Sequence, residues 1–551
     1  MVRNLYIIAT MLALLAPYTT MGRAVRLHTI EEMNSPSHAI NSHAGAERYS
    51  SLEMDFSTYH LIPKEELDIK GNPVYSRIKR MSSGEWLLLF QGYQIGSYIY
   101  YSISSDLRNW CYRKELFSAY YVEHEEGKDH RRFSTADAVV LQNGDILVAC
   151  SYRANKGYRK DIDCGIMLRR SSDNGRTWSD EQIIYRGANW EPYLLQLPDG
   201  RVQCYFTDSK PAIKNSGTSL IISSDNGKSW SEKQIVCRQH RCTHDDGTRI
   251  YTDQMPSFRL LNDGTTLLGF LESNTSNIAK GEKSNYMMSV IRQHGVDWQP
   301  LQGDEVGPSD RDTNIARGAG GYVSTFPSGE TVISCNIKSK FSLKVGNHTG
   351  TVFNGRSWNE DWLKPLFSYG YWGSTEPVDG HSLLATCHCK NGIELAILRL
   401  NHNIKAVKFT PKIDGKNDDW KGDEALFIGS DTPSQMIIRA GHDAKYLYLL
   451  VECKSDDTEI EAKLHINNLQ TLNITPKRCY GNLMSVVTRC RKARTANGER
   501  GFVAEIAIPR TSIGEGNEVA IWGALSTNGK LDTFSHARES ELSTWPRIVL
   551  E

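Results

Sequence analysis

The sequence has 551 residues, enough for two or three domains with a large core. Lysine plus arginine and aspartate plus glutamate number 64 each, so the formal net charge is zero. Nucleic-acid-binding proteins usually carry a basic excess, and the balance of charge argues against that class.

The chain begins like a secreted protein. A basic residue, Arg3, precedes an apolar run over residues 5–16, and small or polar residues follow through Gly22 and Ala24. This order predicts a signal peptide over residues 1–24, too short for a membrane span, and a secreted or periplasmic location. No later segment is apolar enough to predict membrane insertion. Residues 25–71 lack a clear period, and we interpret them as a lead-in that closes or covers the next domain.

Six copies of one short pattern organise the middle of the chain. Each copy is an apolar run, a turn containing glycine, and a second apolar run, which is typical of a hairpin of two buried strands. Repeats of this length indicate one supersecondary unit per copy, arrayed side by side. The turn glycines are Gly84, Gly144, Gly200, Gly264, Gly329 and Gly380.

A second pattern, S-x-D-x-G-x-[ST]-W, follows several hairpins. Near-complete copies lie at residues 171–178 and 223–230, and weaker copies at 105–110 and 354–358. In this pattern, the Asp-box, the aspartate bonds to amides of its own turn, the glycine takes a positive φ, and the tryptophan packs between sheets. The repeat resembles that of sialidase-type propellers. Together with the hairpins it predicts an all-β, six-bladed β-propeller of four-stranded blades over residues 72–402.

The pattern changes near residue 403. Alternating segments rich in β-branched and aromatic residues predict a β-sandwich over residues 403–551. The pieces at 413–420, 444–451 and 502–509, with Trp545-Pro546 near the end, resemble family 9-like carbohydrate-binding modules. The alternative is a sandwich that only supports the propeller.

The hairpins divide polar residues between two rims of the propeller. Residues just before the first strand and just after the second share one rim around the central funnel, whereas the Asp-boxes lie on the opposite rim. Asp173 and Asp225 are therefore predicted to be structural. The predicted substrate-binding residues on the funnel rim are Arg77, Asp137, Arg153, Trp190, Asp208, Asp253, Arg317, Tyr371 and Trp372.

Two glutamates stand out on this rim. Glu191 enters the third blade, and Glu272 ends the second strand of the fourth. A carboxyl group at the end of an apolar strand is partly desolvated, which raises its pKa as a general acid requires. A pair of such carboxyl groups serves glycoside hydrolysis, with retention or inversion set by their separation. The alternative for Glu272 alone is a salt-bridged strand end.

The residues around these glutamates resemble glycoside hydrolase family 93. The resemblance covers roughly residues 72–402 and rests on the segments 75–84, 190–208 and 255–272, above all Trp190-Glu191-Pro192 and the later Tyr-Phe-Thr-Asp. It implies a six-bladed exo-α-L-arabinanase that acts with retention, without a cofactor, on an oligosaccharide or polysaccharide. It further implies Glu191 as the nucleophile and Glu272 as the acid/base.

Two other functions stay open. An exo-sialidase, or a related hydrolase of acidic sugars, shares the fold and the Asp-boxes; such enzymes use three arginines and a tyrosine nucleophile backed by glutamate. Arg77 and Arg317 could supply two of the arginines and Tyr371 the nucleophile, but no arginine enters the sixth blade. A non-catalytic glycan-binding propeller would need only aromatic platforms such as Trp190 and Trp372.

The 12 cysteines predict little chemistry. Cys237 with Cys242 and Cys479 with Cys490 are candidate disulfides, whereas the cysteines inside predicted strands are expected to be buried thiols. Cys387-His388-Cys389 has metal-ligand residue types, but on a strand the histidine faces away from both cysteines. No metal site is predicted.

Overall fold

In the computed structural model, residues 51–550 are described apart from 70, 94–96, 209–216, 239–252, 275–285, 303–304, 306, 314, 352–361, 366, 368–370, 381, 402, 422–423, 430–432, 468–469, 483–484, 495–497, 499, 515 and 534–536. The predicted signal peptide, most of the lead-in, Cys242 and the weak Asp-box at 354–358 lie outside these residues. None of the helices in the described part of the chain is long and apolar enough to span a membrane.

The first three blades follow the order of the chain. A strand from the lead-in and a short helix precede them: β1 (Ser51–Pro63) and α1 (Lys64–Leu67). Blade one contains β2 (Pro73–Arg80), β3 (Trp86–Gly92), β4 (Tyr98–Ser104) and β5 (Cys111–Phe117). Blade two contains β6 (Tyr120–His124), β7 (Gly127–Val140), β8 (Ile146–Ala154), β9 (Cys164–Ser171) and β10 (Gln182–Arg186), with helix α2 (Asn155–Arg159) after β8. Blade three contains β11 (Asn189–Gln196), β12 (Val202–Asp208), β13 (Thr218–Ser223) and β14 (Gln234–Cys237).

The remaining blades complete the ring. Blade four contains β15 (Gln254–Leu260), β16 (Thr266–Asn274), β17 (Tyr286–His294) and β18 (Arg311–Asp312). Blade five has three described strands: β19 (Ala319–Thr325), β20 (Thr331–Ile337) and β21 (Lys340–Gly346). Blade six contains β22 (Tyr371–Pro377), β23 (Ser382–Cys389) and β24 (Gly392–Asn401), and β1 adds a fourth strand to it. The structure thus confirms the six-bladed propeller, and its blades range from three described strands to five.

The lead-in closes the ring. Strand β1 pairs antiparallel with β24, so the last blade joins chain segments from both ends of the propeller. The guanidinium of Arg399 donates to the Asp55 carboxylate, 3.0 Å away, and neither side chain is more than 6% exposed. Closure by a strand that is distant in sequence gives blade six its fourth strand and pairs the outer edge of β24.

The Asp-boxes have the predicted structural role. The Asp173 carboxylate accepts hydrogen bonds from the backbone amides of Arg176 and Thr177 at 3.0 and 2.9 Å, and from the Thr177 hydroxyl. The Thr177 bonds are the main reason that the pKa of Asp173 falls to about 2. Asp225 makes the equivalent contacts. The Asp173 turn lies between β9 and β10 and the Asp225 turn between β13 and β14, away from the starts of the inner strands.

The C-terminal domain is a β-sandwich. Its strands are β25 (Ile404–Lys408), β26 (Leu426–Gly429), β27 (Gln435–His442), β28 (Tyr446–Lys454), β29 (Ile460–Ile466), β30 (Gln470–Ile474), β31 (Cys479–Gly481), β32 (Val487–Arg494), β33 (Arg500–Pro509), β34 (Glu518–Thr527), β35 (Lys530–Thr533) and β36 (Arg547–Leu550), with 3₁₀ turns at Arg510–Ser512 and Leu542–Thr544. One layer is built around β27, β28, β33 and β32, and the other around β34, β29, β30 and β31. Strand β25 pairs with β27 and β36 and joins the layers.

A single apolar core fills the sandwich. Leu449 of β28 and Ile506 of β33 belong to the same buried cluster as Leu464 of β29 and Trp522 of β34. Trp545 of the predicted Trp-Pro pair is fully buried in this core, and its indole N–H donates to the Arg538 carbonyl. The sequence therefore alternates because one side of each strand is buried between the two layers.

The cysteines are thiols in the described residues. Cys479 and Cys490, which were a candidate disulfide pair, are both free. Both side chains pack against the sandwich core, and burial raises the pKa of each thiol. Cys237 is also free and donates to the Asp253 carboxylate at 3.0 Å. Among the residues described, no group of three histidine, cysteine or acidic side chains could hold a metal ion.

Candidate active site

Every inner strand of the propeller contains the same backbone irregularity. One residue in each of β2, β7, β11, β15, β19 and β22 has a positive φ, and the pairing register with the second strand shifts at that residue. In blades one to five it stands nine residues before the turn glycine. Positive φ costs free energy for side chains other than glycine, so six copies show that the ring imposes it. We call these six the bulge residues: Tyr75, Thr135, Glu191, Met255, Gly320 and Trp372.

The bulges bond adjacent blades together. At each one, the backbone amide donates to a side chain of the preceding blade. For Gly320 the acceptor is the Glu272 carboxylate at 2.7 Å, and for Trp372 it is the Asn336 amide oxygen at 2.8 Å. The remaining acceptors are His388, Gln91, Thr135 and Thr207. Glu272 is the only carboxylate among these six acceptors. Since neutral side chains accept the same hydrogen bond in the other blades, the contact does not require the charge of Glu272.

Glu191 is a bulge residue at the funnel. Its carboxylate accepts a hydrogen bond from the Thr207 hydroxyl at 2.8 Å. The oxygen of that hydroxyl accepts the Met255 amide at 2.9 Å, which directs the hydroxyl proton toward Glu191. Burial, with a smaller contribution from the charge of Glu272, raises the pKa of Glu191 to about 8. The group therefore holds its proton at neutral pH.

Glu272 accepts more hydrogen bonds from the protein than Glu191 does. Besides the Gly320 amide, the side-chain amide of Gln254 donates to it at 2.6 Å. The side chain is only 5% exposed, and burial raises its pKa to about 6, whereas the two N–H donors oppose that rise. Since N–H donors stabilise the charged form, Glu272 ionises more easily than Glu191. The pair shares one proton between about pH 6 and pH 8.

The arginine beside Glu191 is held over a tryptophan. The Arg153 guanidinium carbon lies 3.1 Å from the centre of the Trp190 ring, and the guanidinium donates to the Ser134 hydroxyl at 2.9 Å. Burial lowers the pKa of Arg153 to about 10. Its positive charge favours the ionised form of Glu191, so Arg153 and Trp190 form one side of the carboxyl site.

Arg77 and Asp137 are buried next to Glu191. They line, with Glu191, a gap of about 10 Å³, roughly the space of one water molecule. The Arg77 guanidinium donates to the carbonyl of Trp372 at 2.6 Å and lies 4.0 Å from the Asp137 carboxylate. Asp137 also accepts the Leu194 amide at 3.2 Å. Both residues are buried and bonded to other parts of the propeller, so they fix one wall of this gap.

Glu272 opens onto a larger pocket of about 970 Å³. Arg317 lines this pocket with an exposed side chain, and Tyr371 lines it with its hydroxyl 2.8 Å from the Ser339 hydroxyl. Trp372 stands next to them, with its ring centre 5.7 Å from that of Tyr371. Two further cations, Lys338 and Lys364, share the wall. The pocket thus combines one carboxyl group, aromatic surfaces and three cationic side chains.

Two predicted binding residues do not reach the funnel. Asp208 has no exposed surface and accepts a hydrogen bond from the Lys233 ammonium at 2.6 Å. Asp253 is equally buried; it pairs with Arg311 at 3.1 Å and accepts hydrogen bonds from Cys237 and Ser273. The Asp208–Lys233 contact lies within blade three, whereas Asp253 connects blade four to Cys237 of blade three. Both carboxylates are closed to a ligand.

Several residues of the site are not among the predicted binding or catalytic residues. Thr207 orients Glu191, Gln254 and Gly320 solvate Glu272, and Lys338 and Lys364 add charge to the pocket. The fixed spacing from the turn glycine would have identified the bulge residues. The lysines follow β20 and β21 in irregular segments, where no repeat signals their position.

Residues 60–235 match the BNR repeat-like domain. This BNR repeat-like region runs from the end of β1 into β14 and contains both near-complete Asp-boxes. No curated protein matches the sequence.

Several solved structures are similar to the chain at low sequence identity. They include the GH93 α-L-arabinofuranosidase of Fusarium graminearum with arabinobiose (17% identity, 65% of this chain and 98% of that one, TM-score 0.43). The arabinobiose complex of Penicillium chrysogenum α-L-arabinanase is similar at 16% identity, covering 63% of this chain and 98% of that one, with TM-score 0.42. A leech intramolecular trans-sialidase is similar at 11% identity, covering 62% of this chain and 69% of that one, with TM-score 0.40.

The raised pKa of Glu191 predicts that Glu191→Gln stabilises the protein. Between about pH 4.5 and 8 the unfolded chain carries a carboxylate where the folded protein holds a proton, so the free energy of unfolding falls as the pH rises. Glutamine avoids this loss, and we expect a gain of about 1–3 kcal/mol at pH 8 that shrinks toward pH 5. Urea denaturation of both proteins at several pH values measures it. A gain that is equal at pH 5 and pH 8 would contradict the assignment.

Proposed function

We propose that the propeller is an exo-acting glycoside hydrolase in which Glu191 and Glu272 form the catalytic pair. The supporting observation is two carboxyl groups on adjacent blades, at one rim, with different hydrogen-bond partners and both pKa values raised. Hydrolysis of a glycosidic bond needs one protonated and one ionised carboxyl group, and environments that separate two pKa values supply them. The predicted signal peptide makes the enzyme a secreted or periplasmic one.

The order of the pKa values assigns roles in the free protein. Glu191, with one hydroxyl donor and pKa about 8, carries the proton and protonates the leaving oxygen. Glu272, with two N–H donors and pKa about 6, is the carboxylate that attacks the anomeric carbon or activates water. This order is the reverse of the one implied by the family 93 resemblance.

The residues around the pair hold the sugar. Trp372, and the part of Trp190 that Arg153 leaves uncovered, offer aromatic surfaces on which a sugar ring stacks. Tyr371 and Arg317 reach into the pocket beside Glu272 and bind hydroxyl groups of the unit there. An α-linked arabinan is the first substrate we propose. The basis is the resemblance to glycoside hydrolase family 93, which the Trp190-Glu191-Pro192 segment and the nearby Thr207 carry.

A hydrolase of acidic sugars is the second candidate, and the pocket supports it. Arg317, Lys338 and Lys364 line the space next to Glu272, and in the described part of the chain no acidic side chain pairs with them. Three free cations suit a sugar that carries a carboxylate. In this reading the cations bind the carboxylate while the same glutamates cleave the bond.

A substrate screen decides between the two. The protein is incubated with linear arabinan, with arabinobiose and with 3′-sialyllactose, and released sugars are separated by anion-exchange chromatography. We expect arabinose, released one unit at a time, from the first two. Release of sialic acid alone would replace the first candidate by the second, and no release from a wider panel of neutral and acidic glycans would reject hydrolysis.

A further inference from the structure

A cleft of about 570 Å³ opens at one edge of the sandwich, far in sequence from the propeller site. We call it the edge cleft. Its walls come from the loop after β28, from β29, from the segment after β30, and from the start of β33 with the end of β32. Its volume suits one or two sugar units.

Three cations face the edge cleft from two neighbouring strands. Side chains alternate along β32: Cys490 packs against the core between the layers, and Ala493 packs on the outer face. Lys492 and Arg494 therefore share the inward side with Cys490. Arg500 of β33 stands directly opposite Arg494 and lines the same space.

The arrangement of these cations is unfavourable without an anion. Like charges on directly opposed residues of an antiparallel pair repel each other, and Arg494 and Arg500 form such a pair. None of the three cations has an ion-pair partner among the described acidic residues. Asp457 on the facing wall accepts the Asn528 amide at 2.8 Å, and its own backbone amide donates to the Ser455 hydroxyl. An anion between the guanidinium groups would remove the repulsion.

The other walls fit a sugar. Ile460 and Pro476 give an apolar surface for the C–H face of a ring, and Thr458 with Asp457 offers partners for hydroxyl groups. An inorganic anion would use only the cationic wall. We propose that the edge cleft binds a sugar unit that carries a carboxylate or sulfate group, so the sandwich attaches the protein to an acidic polysaccharide. This binding does not depend on hydrolysis by the propeller.

Matched charge variants of β32 test the proposal. The double variant K492S/R494S removes two cations from the edge cleft, whereas R489S/R491S removes two from the same strand on its outward side. All four substituted side chains are exposed. The full chain, with Glu272→Gln to prevent cleavage, is titrated calorimetrically at low salt with hexagalacturonate, with a heparin tetrasaccharide and with neutral xylohexaose.

We expect at least one acidic probe to bind, and the neutral probe to bind at least tenfold more weakly. K492S/R494S should weaken the binding of the acidic probe about tenfold or more, and R489S/R491S should weaken it less than twofold. The probe that binds better distinguishes carboxylate from sulfate. Equal weakening by both double variants, binding that K492S/R494S leaves unchanged, or no binding of either acidic probe would overturn the proposal. Retained binding without hydrolysis of any glycan would reject the proposed enzyme and keep the edge cleft.

Discussion

Glu191→Gln and Glu272→Gln are each expected to lower kcat by about a thousandfold or more, because one side chain donates a proton to the leaving oxygen and the other attacks the anomeric carbon or activates water. Glutamine preserves the shape of each site and can still meet the Thr207 hydroxyl or the Gln254 amide in part. The expected loss is therefore of turnover and not of fold. Initial rates on the substrate that the screen identifies, with circular dichroism of each variant, give the measurement.

Glu85→Gln is the control. Glu85 lies in the first hairpin turn, paired with the Asp-box residue Arg176 at 2.8 Å, on the rim opposite to the pair. It should keep full activity. A variant of Glu191 or Glu272 that retained wild-type turnover would remove that residue from the mechanism, whereas loss in all three variants would indicate damage to the propeller.

The pH profile separates the two roles. In the wild-type protein kcat/KM should rise through about pH 6, as Glu272 ionises, and fall through about pH 8, as Glu191 loses its proton. The residual activity of Glu272→Gln should lack the acidic limb, and that of Glu191→Gln the alkaline limb. The opposite pattern would restore the roles implied by the family 93 resemblance.

Asp55→Ala should give the largest loss of stability. The Asp55 carboxylate is fully buried, where it pairs with Arg399 at 3.0 Å and accepts the side-chain amide of Gln435 from the sandwich. Alanine would leave the arginine buried without a counter-charge, which costs about 3–5 kcal/mol. The same change removes one side-chain contact between β1 and β24, so we expect the propeller to unfold at a lower urea concentration.

A compensating variant tests the cause. Asp55→Ala combined with Arg399→Leu removes the unpaired charge and should recover a large part of the loss. Recovery would show that the uncompensated guanidinium carries the cost. A loss below about 1 kcal/mol for Asp55→Ala alone, or no recovery in the double variant, would contradict the role given to this ion pair.

The turn glycines and Asp-boxes predicted the ring because they are local signals. A turn needs positive φ at one residue, as at Gly84, and an Asp-box bonds only to its own amides, as Asp173 does. Glu191 and Glu272 could be placed on one rim for the same reason: their distance from a turn glycine is fixed by strand length.

The rest depends on contacts between segments that are far apart in sequence. Asp208 looks like a rim carboxylate until Lys233, two strands later in the same blade, is seen to cover it. Cys479 and Cys490 have suitable spacing for a disulfide, but both sulfurs turn into the sandwich core. The pairing of the lead-in could not be predicted because its partner, β24, lies more than three hundred residues later.

That late pairing sets an order on folding during synthesis. Asp55 is separated from Arg399 by 344 residues, so blade six cannot be completed until almost three-quarters of the chain has left the ribosome. Until then β1 and five blades expose open edges, a state that favours non-native pairing. Such distant contacts also slow folding. Glu191 and Glu272 lie in blades three and four, so their strands are made early, but the ring that fixes the funnel around them closes last.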